Sequence, residues 1–222
     1  QMLVESRNRL AYVLSQTGEF DEAVKIILSN IAYVEDNNFS EFQEDVHVYG
    51  AFVYRNTSNE EKAFEFFKKA LSFTDSTSQS SLYHVILSEM GNYYINKSDF
   101  QMGTQYLLRA LDIRKGLKLD NYLGYSYHDI SVAFTQKKEF DKALEFAFLA
   151  LDLHKIQKDS HALSYVYLNI AKLKLDLKRT DEALQYIDSC IALSKEISGQ
   201  MQLYNAYQTL EDIFVERKDF QK

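Results

Sequence analysis

The chain has 222 residues, with 32 acidic and 25 basic side chains giving a net charge of −7, no Pro, no Trp and one Cys. An acidic balance with scattered lysines and arginines argues against nucleic-acid binding, which needs a clustered basic surface to neutralise phosphates. The apolar runs are short and interrupted, which excludes a transmembrane helix, and a single thiol excludes an internal disulfide.

Predicted elements alternate along the chain as pairs of helices. A first helix is centred on Ala11 with Leu10 and Leu14, a turn follows at Gly18-Glu19-Phe20-Asp21-Glu22, and a second helix runs from Ala23 through Ile27 and Ile31. Apolar residues four and eight positions apart lie on one helix face. The pair then recurs. First helices carry Ala51, Gly91, Ser131 and Ala171, and second helices carry Ala63, Gly103, Ala143 and Ala183, every landmark forty residues from the last. A further small column, Asn30, Ala70, Ala110, Ala150 and Cys190, marks where each second helix passes close to a neighbour. Capping signals open the first helices: Ser40 with Gln43 has the form of a capping box, and Asp120 and Ser160 are expected caps. The stretch Thr74 to Ser81 reads as a turn. A sixth first helix spans Tyr204 to Lys218, with Glu211 where the others have Ala, Gly or Ser, so that helix is expected to be partly exposed.

These columns resemble the tetratricopeptide repeat family, whose signature combines large residues with Gly and Ala landmarks on two packed helices. The resemblance covers essentially the whole chain. It departs from the family in a unit longer than the common one of about 34 residues and in lacking the closing Pro; helices of roughly 16 residues, about 24 Å long, absorb the difference. It implies an all-α fold, a right-handed α-solenoid of antiparallel helix pairs with about five and a half repeats in a single array over 1-222. Both ends fall inside the pattern, as expected of a piece of a longer protein. Forty-residue units of this kind resemble input domains of bacterial transcription regulators and sensor proteins.

Carrying the family register over, the first helices line a concave groove, and positions forty residues apart form ladders along it. The ladders are Asn8, Val48, Ser88, His128 and Leu168; Tyr12, Phe52, Asn92, Val132 and Lys172; Arg9, Tyr49, Glu89, Asp129 and Asn169; and, at the entry edge, Glu5, Asp45, Val85, Tyr125 and Tyr165. The family's two-carboxylate clamp would need Lys, Asn and Arg at these positions, and Lys172 is the only cation in its row. Instead Glu89, Asn92, Tyr125, His128, Asp129, Tyr165, Asn169 and Lys172 form the candidate binding wall. Asn side chains can pair with a peptide backbone, aromatic rings supply rigid contact area, and Glu89 with Asp129 would favour a basic residue on the ligand. Tyr54, Tyr94 and Phe134, and Tyr127, Tyr167 and Tyr207, are expected in the core.

No Gly-rich phosphate loop, metal-ligand spacing among the five histidines or aligned triad appears in the sequence, so neither catalysis nor a cofactor is expected. Cys190 reads as a buried thiol, with a cytoplasmic setting the natural one for an unpaired cysteine. The function expected is a non-enzymatic module binding a protein or peptide segment. The alternative is a scaffold or oligomerisation module that self-associates through its ends or convex face.

Overall fold

The computed structural model describes residues 2–74 and 82–217, and every regular element among them is helical. The chain divides into two compact units, residues 1–97 and 98–222. Most of the predicted serine-rich turn, residues 75–81, and the last five residues lie outside the described residues.

The first unit contains α1 (Met2–Thr17), α2 (Phe20–Asp36), α3 (Gln43–Asn56), α4 (Glu60–Phe73) and α5 (Tyr83–Asn96). Helices α1 and α2 pack as one pair and α3 and α4 as the next. Val4, Ala11, Ala23, Ile27, Ile31, Val34, Val46 and Val53 form its core, and each such large apolar side chain stabilises the fold by about 1.5–3 kcal/mol on burial. Asn30, in the small column, is fully buried. Its amide NH2 donates to the Val4 carbonyl at 2.9 Å and to Asn8 Oδ1 at 2.8 Å, which offsets the desolvation of its two N–H groups.

The second unit contains α6 (Phe100–Gly116), α7 (Leu123–Gln136), α8 (Phe140–Gln157), α9 (Ser160–Asp176), α10 (Thr180–Glu196) and α11 (Gln200–Glu216). Pairs α7/α8 and α9/α10 pack closely, and α11 lies against both α9 and α10. Leu168, Ala171, Ala183, Ile187, Cys190, Ala206 and Ile213 make one core cluster. The predicted small columns are buried in both units, with Ala70, Ala110, Ala150 and Cys190 fully so. A small side chain lets two backbones approach, and this is why the landmark positions tolerate so little variation in size.

Nearly identical turns join the helices. A residue with positive φ stands at Gly18, Asn38, Ser58, Ser98, Lys118, Lys138, Lys158, Lys178 and Ser198, twenty residues apart wherever the intervening turn is described. After it the chain closes the helix end in the same way: Asn59 N–H donates to the Tyr54 carbonyl, Leu119 to Arg114, Glu139 to Phe134 and Arg179 to Lys174. These six-residue closures, with a left-handed residue at their fifth position, are Schellman motifs that satisfy the last carbonyls of each helix. Glycine is the usual residue there, yet here only Gly18 is one.

Three expectations are corrected. Ser40–Phe42 and Asp120–Tyr122 are single 3₁₀ turns preceding α3 and α7, so neither Ser40 nor Asp120 caps its α-helix; the caps, Phe42 and Tyr122, make no side-chain capping bond. At α9 the cap is Asp159 rather than Ser160, its carboxylate accepting from Ala162 N–H at 3.0 Å. Tyr207 is 48% exposed rather than core, whereas Tyr127 and Tyr167 find rings on the next helix, Phe146 and Tyr186. Glu211 is exposed, as its charge requires.

Candidate peptide-binding cleft

In the second unit the first helices of successive repeats, α7, α9 and α11, stand side by side. They enclose a cleft of about 450 Å3 lined by side chains from all three, including His128, Val132, Leu168, Asn169, Lys172 and Asp212. The lining obeys the repeat. Val132, Lys172 and Asp212 form one row at forty-residue spacing, Asn169 and Thr209 another, and Gln136 and Asp176 a third. Equal spacing follows from the fold itself: a position on one first helix is carried to the matching position on the next, so side chains at one register share a face.

Of the eight candidate residues, His128, Tyr165, Asn169 and Lys172 line this cleft. Tyr165 is 47% exposed, and Lys172 is exposed with no ion pair within 4.0 Å among the described residues. Asn169 is only 9% exposed, and its amide donates to Ser131 Oγ at 2.8 Å, which leaves its Oδ1 as the acceptor available for a ligand. Tyr125 and Asp129 sit on α7 but do not line the cleft. The Tyr125 hydroxyl donates to Asp159 Oδ2, and this bond with the neighbouring negative charge pushes the phenol up to about 12. Tyr125 is therefore held as a neutral donor to the α9 cap rather than presented freely.

Glu89 and Asn92 belong to the first unit, where with Arg55, Phe64, Phe67 and Tyr93 they line a smaller pocket of about 280 Å3. Glu89 accepts from Arg55 Nη1 in an ion pair. Its charge is thus already compensated, which weakens its claim as the anchor for a basic ligand group. Phe64 and Tyr93 stack with ring centroids 3.8 Å apart, giving that pocket an aromatic wall.

Two histidines of the second unit are held neutral, His128 in the cleft lining and His154 on α8. His128 is pushed down to about 4, chiefly by burial and secondarily by the field of His154. His154 is fully buried and likewise lowered, again chiefly by burial, against the opposing pull of Asp159. Neither ring can take a proton near neutrality without placing a charge in low dielectric. Gly124 explains how the His154 ring fits: a Cβ there would stand 2.7 Å from its Cε1 and Nε2 atoms.

Asp176, Thr209 and Asp212 were not among the sequence-derived candidates, although they line the cleft. Extending the Lys172 row by one further repeat reaches Asp212, and the Asn169 row reaches Thr209. Asp176 lies one helical turn beyond Lys172 on the same face of α9. The Asp176 carboxyl is raised by partial burial, which outweighs the pull of Lys178, Lys138 and Lys172.

Among the described residues no group of three or more His, Cys, Asp or Glu side chains is arranged to hold a metal ion. No helix among them is long and apolar enough to cross a membrane.

Residues 164–197, α10 with most of α9, match the sequence model of the tetratricopeptide repeat. No curated protein matches the chain in sequence. Among solved structures, the apo form of RapI superposes with a TM-score of 0.80 at 13% identity, covering 96% of this chain and 82% of that one. BtubC (BKLC) from P. vanneervenii gives 0.77 at 18% identity, covering 89% and 82%. The pilF protein of Pseudomonas aeruginosa gives 0.65 at 18% identity, covering 98% and 96%. At these identities the likeness is one of fold. With the forty-residue columns and the paired helices of both units, it gives the chain a helical-repeat fold similar to that of tetratricopeptide proteins.

Proposed function

We propose that the chain is a non-enzymatic binding module that receives an extended peptide or protein segment in the α7–α9–α11 cleft, and that it serves as the sensory or regulatory part of a larger bacterial transcription regulator or signalling protein. The observation that carries the binding reading is the cleft itself. Its walls are built from the same register on three successive first helices, so a ligand extended across them meets equivalent positions at regular intervals. Buried Leu168 and Thr209 and half-buried Val132 provide a desolvated surface, while Tyr165 offers an aromatic edge and Asn169 Oδ1 an acceptor for a backbone N–H. The unbroken forty-residue register supports a single array, in which Glu89 and Asn92 would extend the same ladders. A small shift at each repeat would sum along such an array and report binding to an attached output module.

A photoreactive residue at Gln136, which is exposed and lines the cleft, tests the site directly. Peptides selected on the whole chain from a random twelve-residue library should crosslink there and not to the same group at Asp188, exposed on α10. Crosslinking at Asp188 alone would refute the groove.

A second reading, assembly through the end helices, is favoured by apolar side chains exposed on α11: Met201, Tyr204, Phe214 and Val215. Light scattering on Met201→Ser/Tyr204→Ser would show a change in mass if α11 holds copies together, and none if the cleft alone carries function.

A further inference from the structure

The charges around the cleft are arranged asymmetrically. Three side chains that carry a charge at neutral pH line it, Lys172, Asp176 and Asp212, and among the described residues none of them has an ion-pair partner within 4.0 Å. Nearby carboxylates behave differently: Glu182 pairs with Lys174 at 2.7 Å, Glu216 with Lys178 at 2.8 Å and Asp181 with Arg217 at 3.3 Å. Lys174, Lys178 and Arg217 are thus paired with carboxylates outside the cleft, and Lys178, Lys138 and Lys172 act on Asp176 only at longer range. His128 does not alter the balance, because burial keeps it neutral at pH 7. Its Nδ1 is buried with no hydrogen-bond partner, a polar anomaly at the wall of the same cleft.

The apolar part of the lining adds a shape to this charge. Val132, Leu168 and Leu175 come from α7 and α9, and Asp176 and Asp212 follow them on α9 and α11. A surface of aliphatic side chains edged by carboxylates complements a side chain with an aliphatic stem and a cationic head. We propose that the α7–α9–α11 cleft selects segments bearing a lysine or arginine, whose stem lies on Val132, Leu168 and Leu175 and whose cationic head is held by Asp176 and Asp212. This rests on the reading of the cleft as a peptide site and moves the acidic specificity from Glu89 and Asp129, the pair expected from sequence, to Asp176 and Asp212. Lys172, one turn before Asp176, opposes the ligand's cation and so disfavours segments with several adjacent positive charges, which a plain acidic patch would prefer.

The random twelve-residue library that tests the cleft also tests this selectivity. Peptides that crosslink at Gln136 should be enriched in Lys or Arg, and replacing that residue by Gln in the synthetic peptide should weaken binding by about tenfold in isothermal titration. Asp176→Asn and Asp212→Asn should each weaken the parent peptide to a similar degree and leave the Gln peptide unaffected. Neither aspartate is ion-paired among the described residues, so both variants should keep the parent's circular dichroism and melting curve. Lys172→Ala should tighten binding several-fold, most at low salt, where the repulsion it removes is least screened. Peptides that crosslink at Gln136 but carry no basic residue, or bind the two Asn variants as tightly as the parent, would overturn the selectivity while leaving the cleft as the binding site. A library that yields no crosslink at Gln136 would overturn both.

Discussion

Acidification should weaken the second unit through His128. The imidazole is lowered from an ordinary 6.5 to about 4 in the folded chain, because burial penalises its charged form and His154 lies nearby. When a base has a lower pKa folded than unfolded, the unfolded chain binds more protons throughout the interval between the two values. Stability from this residue is therefore complete above pH 6.5 and lost as pH falls toward 4. Integrating between the two values gives a loss of about 2 kcal/mol by pH 5 and about 3 kcal/mol by pH 4 from this one group. The perturbation is His128→Gln, which keeps a polar side chain of similar length and removes the titration. Urea unfolding of the whole chain, followed by circular dichroism at pH 7.5 and pH 5, should show the parent losing about 2 kcal/mol more than the variant. Should both lose the same amount, or should the His128 ring titrate near 6.5 by NMR, the assignment of a neutral buried imidazole would be wrong.

Other consequences can be measured separately. Lys118, Lys138, Lys158 and Lys178 all occupy left-handed turn positions, so each Lys→Gly change should stabilise by about 0.5–1 kcal/mol after the greater unfolded-state entropy of Gly is counted. The four, twenty residues apart, should add nearly linearly in the denaturation midpoint. Gly124→Ala should destabilise by about 1–3 kcal/mol, since its Cβ would press on the buried His154 ring at 2.7 Å; a melting curve matching the parent would contradict that packing. Glu182→Gln removes the partner of buried Lys174 and should lower the urea midpoint, by less than breaking a fully buried pair would because Glu182 faces water; an unchanged midpoint would contradict the pairing. Asp159→Asn should bring the Tyr125 phenol down from about 12 toward 10, visible as an earlier rise of phenolate absorbance in an alkaline titration.

The helix pairs were legible in the sequence because burial constrains size. Ala11, Ala23, Ala51, Ala143 and Ala183 sit where helices touch, and only small residues leave room for the approach. Local bonding was harder to read. Ser40 and Gln43 have the spacing of a capping box, but the chain spends Ser40–Phe42 on a 3₁₀ turn before α3 begins. Tyr207 shares the register of Tyr127 and Tyr167, yet no described helix follows α11 to supply a ring against it. At the candidate site, His128, Tyr165, Asn169 and Lys172 from the ladders line one cleft in the structure. The ladders could not show that Arg55 neutralises Glu89 or that Asp159 engages Tyr125. Those partners lie 34 residues away in each case, one repeat less six, a separation set by how helices stack and absent from the within-helix spacings that periodicity detects.

The turns repeat at twenty residues while the buried columns repeat at forty. An internal deletion of twenty residues would therefore leave every turn geometrically intact yet exchange the roles of first and second helices beyond it, presenting outward-facing rows to the groove and groove rows to the outside. A duplication of forty would do neither. Gene rearrangements that preserve this fold are thus confined to whole helix pairs, and each one gained would lengthen the proposed binding face by one residue in each ladder without redesigning a turn.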